Sequence, residues 1–273
     1  MKIINDIDGN NYIKDKILSG NPFIASKMGG VEQNVILSYI NGGNYDSIRA
    51  MASNNAGITP ATDEMLNYFS EQYIKSLGSV DILGHMPSPQ EQLIISKYAS
   101  QCKFSELRLL EPFYFKDPWS ESLKGKRVLI IHPFEESILN QYKNRGRLFD
   151  NPNILPEFEI LTIKAEQTNG GGISNSKPFD TSMKIMKDKI NNYDFDVAMI
   201  GCGAYGLPLA SHCKDMGNQA IHIGGGLQIL FGIKGKRWDV HPEISAMYNE
   251  HWVRPMDNEK TINFHVIEGG TYW

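Results

Sequence analysis

Short apolar runs alternate with segments of helical spacing along most of the chain. Residues 22–28 are apolar and stop at Gly29-Gly30, the pattern of a strand running into a turn. Residues 31–40 read as a helix closed by Gly42-Gly43. Thr59-Pro60 offers a hydroxyl cap and a proline for a first helical position, with Asp63 and Glu64 in the first turn. Met65, Leu66, Phe69, Tyr73, Ile74 and Leu77 follow at helical spacing up to Gly78. Residues 80–84 predict another strand, with a proline-led helix after it to about Tyr98. Residues 107–115 are apolar again until Pro118-Trp119.

Arg127-Val-Leu-Ile-Ile-His132 is aliphatic with no polar alternation, which predicts a strand covered on both faces. Residues 158–165, 195–201 and the shorter 219–224 repeat it, and helical patterns lie at 135–148, 181–192 and 204–217. This order predicts an α/β fold: a mostly parallel sheet flanked by helices, Rossmann-like in plan. A single domain over residues 1–273 fits, and so does an N-terminal region (1–120) joined to a nucleotide-binding region (121–273).

The composition narrows the class without choosing a reaction. The 273 residues are 41% hydrophobic and 21% charged, as in ordinary globular proteins. Twenty-seven Lys+Arg against thirty-one Asp+Glu give a net charge of −4, which argues against nucleic acid as a partner. Three cysteines (Cys102, Cys202, Cys213) are too few and too scattered for a disulfide framework or a zinc cluster, and point to a reduced, cytoplasmic setting. The first sixteen residues carry spread charges rather than a signal-like apolar run. No stretch approaches the roughly 20 apolar residues of a membrane span, so any membrane contact is expected to be peripheral. The aromatic segment 252–273 can pack on the body or on a second copy, leaving a homo-oligomer open.

The loudest motif is a strand followed by Gly201-Cys-Gly203-Ala204-Tyr205-Gly206 and a helix. In form it is G-x-G-x-x-G, where small residues allow a tight turn and a helix N-terminus offers free N–H groups to an anion. An acidic ribose partner about 20 residues on is missing, because the next strand carries His222. A phosphate or nucleotide-sugar site, a glycine turn needed for packing, and an NAD(P) site all fit the pattern. Gly224-Gly225-Gly226 ends the next strand and is expected on the same sheet edge. There Lys234, Lys236 and Arg237 could neutralise a diphosphate or form a solvated basic turn. Glu32, after Gly29-Gly30-Val31, is a dipole partner, a base or a metal ligand. His132 ends the strongest strand, where binding side chains are commonly mounted. The polar stretch 166–177 is the longest loop candidate.

Together these residues resemble the GT-D-type glycosyltransferases. Phe195-Asp-Val-Ala-Met-Ile-Gly-Cys-Gly-Ala-Tyr-Gly206 and Gly217-Asn-Gln-Ala-Ile-His-Ile-Gly-Gly225 are similar to that family's C-terminal half, and Lys27-Met-Gly-Gly-Val-Glu32 to its R-Y-G-D-G-E element. Leu110-Glu-Pro-Phe-Tyr-Phe115, Pro118-Trp119 and Val128-Leu-Ile-Ile-His-Pro-Phe134 are similar to proteins of surface-polysaccharide loci and large viruses. The resemblance implies transfer of a sugar from a nucleotide-sugar, UDP-linked, to a glycan or glycoprotein acceptor. It implies Glu32 and His132 as catalytic candidates and Mn2+ or Mg2+ on the acidic element. The aspartate position holds Gly30, leaving Glu32 alone there. Two other readings stand beside it: a non-catalytic nucleotide or nucleotide-sugar binding protein, and an NAD(P)-dependent oxidoreductase.

Overall fold

All eight strands among the described residues run in the same direction in a single sheet. The computed structural model describes residues 2–85, 88–170 and 177–273. In chain order the elements begin β1 (Lys2–Ile3), α1 (Asp6–Ser19), β2 (Phe23–Lys27), α2 (Gly30–Ile40), α3 (Arg49–Asn54) and α4 (Asp63–Leu77). β3 (Ile82–His85), α5 (Pro89–Tyr98), β4 (Lys103–Glu106), β5 (Arg127–His132), α6 (Glu135–Lys143) and β6 (Glu159–Lys164) follow. The chain continues with α7 (Phe179–Ile190), β7 (Val197–Ile200), α8 (Gly206–Asp215), β8 (Gln219–His222), α9 (Gly226–Leu230), α10 (Lys236–Asp239) and α11 (Pro242–Ser245). The spatial order is β1-β4-β3-β2-β8-β7-β5-β6, every pair parallel.

Two apolar layers enclose the sheet. One packs α2, α4, α5, α7 and α8 on Ile24, Leu83, Leu129, Ile131, Ala198 and Ile200. The other packs α1, α6, α9 and the Trp119 region on Phe23, Ala25, Val128, Ile130, Met199 and Ile221. Successive residues of β2, β5 and β7 thus point to opposite layers and both are apolar, which is why these strands read as unbroken hydrophobic runs. β2, in the first half of the chain, pairs directly with β8, in the second, so residues 1–120 and 121–273 share one sheet. No described helix is long and apolar enough to cross a membrane. The three cysteines are buried and free, and burial raises each thiol pKa.

Several local expectations change. α4 starts at Asp63 because Thr62, not Thr59, is its cap: Thr62 Oγ1 accepts the Met65 N–H at 3.2 Å. β6 is not covered on both faces; it is an edge strand, and Ile160, Leu161 and Thr162 are only half-buried. Residues 107–115 contribute 3₁₀ turns, Leu107–Leu110 and Pro112–Tyr114. The hydrophobic pattern does not announce α1, because Gly9 and Asn10 stand among its four buried positions and blur its apolar stripe. Of the loop 166–177, residues 171–176 lie outside the described residues.

Candidate functional site

Four neighbouring strands, β2, β8, β7 and β5, end on one edge, and the chain leaves them for alternate faces. α2 and α8 turn into one layer, α9 and α6 into the other. Crevices open where neighbouring parallel strands diverge in this way. A cleft of about 490 Å³ lies over them, floored by Lys27, His132, Gly201 and His222. Glu166 to Asn169, Asn55 to Gly57, and the pair Tyr272 and Trp273 complete its walls. The two glycine turns therefore share one rim: Gly201, Cys202, Gly203 and Tyr205 on one side, Gly224 and Gly225 on the other.

Most of these glycines are required by the protein's own side chains. A Cβ on Gly201 would lie 2.8 Å from both the Gly224 carbonyl oxygen and His132 Cδ2. One on Gly206 would lie 2.1 Å from His222 Nε2, and one on Gly226 2.7 Å from Glu111 Oε1. At Gly225 it would meet the Trp238 ring at 3.1 Å. The N–H groups of Gly201 and Gly224 are spent on Ile131 and Ile200 carbonyls, at 2.9 and 3.2 Å. Gly203 differs: φ is +59°, and the nearest atom a Cβ would meet is 3.7 Å away. Ala204 is wholly buried away from the cleft. The dinucleotide form of the motif is thus built for packing, with His222 over Gly206 where a pyrophosphate would need the α8 N-terminus.

The basic run is redistributed. Lys234 and Lys236 do not line the cleft. The Lys234 ammonium sits 5.1 Å from the Tyr248 ring centre, and Lys236 is exposed while its N–H bonds the Trp273 carbonyl. Arg237 reaches the cleft wall, ion-paired with Glu268 and stacked at 4.9 Å on Tyr272. Glu166 pairs with Lys189 at 3.6 Å. Among the described residues, the two charged side chains on the cleft without an ion pair are Lys27 and Glu32.

Lys27 ends β2 and lies across the neighbouring glycine turn. Its Cε is 2.6 Å from where a Cβ on Gly224 would stand, and φ of +73° independently favours glycine there. Glu32 occupies the first turn of α2, where the helix dipole favours a carboxylate. Its Oε2 lies 2.1 Å from the position of a Cβ on Gly29, so the carboxylate fills space that only glycine leaves open.

His132 and His222 are both buried in the cleft floor. Burial pushes the His132 pKa down to about 3, and burial with nearby Lys27 does the same to His222. His132 Nδ1 accepts the Phe134 N–H at 2.9 Å, which puts its proton on Nε2. In that tautomer it donates rather than accepts, so the ring is suited to positioning and not to acting as a base. His222 Nδ1 meets Ser26 Oγ at 3.0 Å. On the opposite wall, Thr168 Oγ1 donates to the Gly57 carbonyl at 2.6 Å and meets Tyr205 Oη at 2.6 Å. The tail is fastened over the rim, with Arg237 N–H to Thr271 O at 2.9 Å and Gln228 Nε2 to Tyr272 O at 3.1 Å.

Of the protein's own groups, few could meet a divalent cation here. Gly30 brings no side chain, Glu166 is engaged by Lys189, and no group of three His, Cys, Asp or Glu side chains gathers among the described residues. Sequence reasoning misses Lys27 and Glu111 as site-forming groups, because both come from segments far from the glycine-rich turns they pack against.

No protein-family model and no curated protein matches the chain. Two solved structures follow a similar chain course. One is described as "Selenomethionine substituted structure of domain of unknown function 1792 (DUF1792)", at 14% identity and a TM-score of 0.48. The other is described as "The highly conserved domain of unknown function 1792 has a distinct glycosyltransferase fold", at 13% identity and a TM-score of 0.46. In both, the match covers 98% of this chain and 90% of that one.

Proposed function

We propose that the chain is a glycosyltransferase that moves a sugar from a nucleotide-sugar donor, UDP-linked, to a hydroxyl of a glycan or glycoprotein acceptor. The observation that carries this reading is the charge arrangement of the cleft: one cation, Lys27, and one carboxylate, Glu32, both without an ion pair, over the ends of diverging parallel strands.

The two charges suit the two ends of a displacement at the anomeric carbon. The acceptor oxygen bonds to that carbon while the bond to the diphosphate oxygen breaks. Glu32 takes the acceptor proton, and the electron pair leaves on the diphosphate, which Lys27 neutralises. His132, neutral and with its proton on Nε2, donates to a sugar or acceptor oxygen. Tyr272 and Trp273 give the rim an aromatic surface for a base or a sugar face.

The test is release of nucleoside diphosphate from a panel of UDP-, GDP- and dTDP-sugars. Turnover of at least one is expected, and Glu32→Gln is expected to lower it by about 10²–10⁴-fold. Absence of both binding and turnover across the panel overturns the reading. The missing carboxylate at Gly30 favours one alternative, a nucleotide-sugar binding protein, whose signature is saturable donor binding with no turnover.

A further inference from the structure

A diphosphate entering this cleft brings two or more negative charges, and the groups able to meet them are few. Both histidines are neutral in the fold. Arg237 is committed to Glu268 and to the Tyr272 ring. Lys234 and Lys236 stand off the cleft. No cluster of carboxylates and imidazoles gathers to hold a divalent cation among the described residues. Lys27 remains, and its path across the cleft depends on one glycine.

That glycine is Gly224. With no side chain at 224, the Lys27 stem crosses the β8 turn, and the ammonium lies 3.3 Å from the point a Cβ would take. The stem thereby has room to lie over the crevice between β2 and β8, where a side chain at 224 would displace it. Glu111, under α9, lies near enough to Lys27 for the lysine charge to lower its pKa against burial, which still leaves that pKa at about 7.

Resting on the glycosyltransferase reading, we propose that Lys27, held across Gly224, neutralises the diphosphate in place of a metal ion, so that the donor site works without a divalent cation. The cation is covalently attached to β2, and its reach is set by the glycine turn of the neighbouring strand.

Calorimetric titration with UDP tests this, in EDTA and again with millimolar Mn2+ or Mg2+. Wild-type affinity in EDTA is expected within about threefold of that with metal. Lys27→Met is expected to weaken binding at least tenfold, about 1.4 kcal/mol. Lys27→Arg should retain some of the affinity, and Gly224→Ala should weaken it by displacing the lysine stem. Lys143→Met, at the opposite sheet edge, serves as control, with melting curves to show that each variant folds. Binding that is lost in EDTA and restored by metal overturns the proposal and leaves the glycosyltransferase reading standing; wild-type affinity in Lys27→Met overturns the proposal and also takes Lys27 out of that reading. If wild type binds none of UDP, GDP or dTDP with or without metal, that reading fails as well.

Discussion

The imidazole of His222 stands where a side chain on residue 206 would have to go, with Nε2 only 2.1 Å and Cδ2 2.2 Å from the position of a Cβ on Gly206. The ring cannot easily yield, because it is buried and its Nδ1 is tied to Ser26 Oγ at 3.0 Å. Gly206→Ala is therefore expected to destabilise the fold by about 1–3 kcal/mol through overpacking. Urea denaturation measures it. In a His222→Ala background the same change should cost clearly less, and equal costs in both backgrounds would disprove the contact.

Gly29 tests the position of the carboxylate without touching it. Its φ of −77° suits alanine, so Gly29→Ala is expected to leave the melting temperature unchanged or slightly raised. The new methyl group would displace Glu32 Oε2, and donor turnover should fall toward the level of Glu32→Gln. Steady-state rates and a melting curve on the same preparation decide it; full activity in Gly29→Ala removes Glu32 from the reaction.

Acid should weaken the fold through the two floor histidines. Their folded pKa values lie at about 3, against about 6.5 in the unfolded chain, so between these limits the unfolded chain binds protons that the native one refuses. Their stabilising share is complete above pH 6.5 and drains away as pH falls toward 3, at up to about 1.4 kcal/mol per pH unit for each ring. Melting temperatures from pH 8 to pH 4 should decline in wild type and decline less steeply in His222→Gln. Parallel slopes for the two proteins would show that His222 titrates freely.

The central strands are legible in the sequence because β5, β7 and β8 are buried on both faces, and a run such as Val128-Leu-Ile-Ile131 has no solvent side to mark with polar residues. The shared rim of the two glycine turns follows from parallel topology alone. What the turns do is not legible. A glycine that admits a ligand and one that admits a neighbouring side chain look the same in sequence, and His222 comes sixteen residues after Gly206. The sequence points to charge beside the turns, in Lys234, Lys236 and Arg237; of these Arg237 lines the cleft, paired with Glu268, and the cation on the cleft without an ion pair among the described residues is Lys27, on a strand that becomes a neighbour only through β2–β8 pairing.

One buried carboxylate ties the start of the tail to α6. Glu259 accepts the N–H groups of Glu136 (2.8 Å), Ser137 (3.1 Å) and Met256 (3.2 Å), and also the Ser137 hydroxyl. It thus caps α6 from outside the helix and pins the segment that ends in Tyr272 and Trp273. Glu259→Ala is expected to cost about 2–3 kcal/mol, since it strands the first-turn donors of α6. Limited proteolysis with mass spectrometry should then find early cuts after residue 255. An unchanged digestion pattern would show that the tail is held by its aromatic contacts and its hydrogen bonds to Gln228, Lys236 and Arg237 without Glu259.

The meeting of β2 with β8 also governs how the molecule can be made. Ser26 and His222 touch although they are 196 positions apart in the chain, and the flank of β2 facing β8 has no partner until that last strand is synthesised. A nascent chain that has not yet reached residues 219–222 therefore presents Phe23, Ile24 and Ala25 along an open, greasy margin, the kind of surface that sticks to other nascent chains. That margin is covered only once β8 has been made, so soluble yield in a host cell is expected to rise when chaperones are co-expressed; an unchanged yield would show that the open margin is harmless.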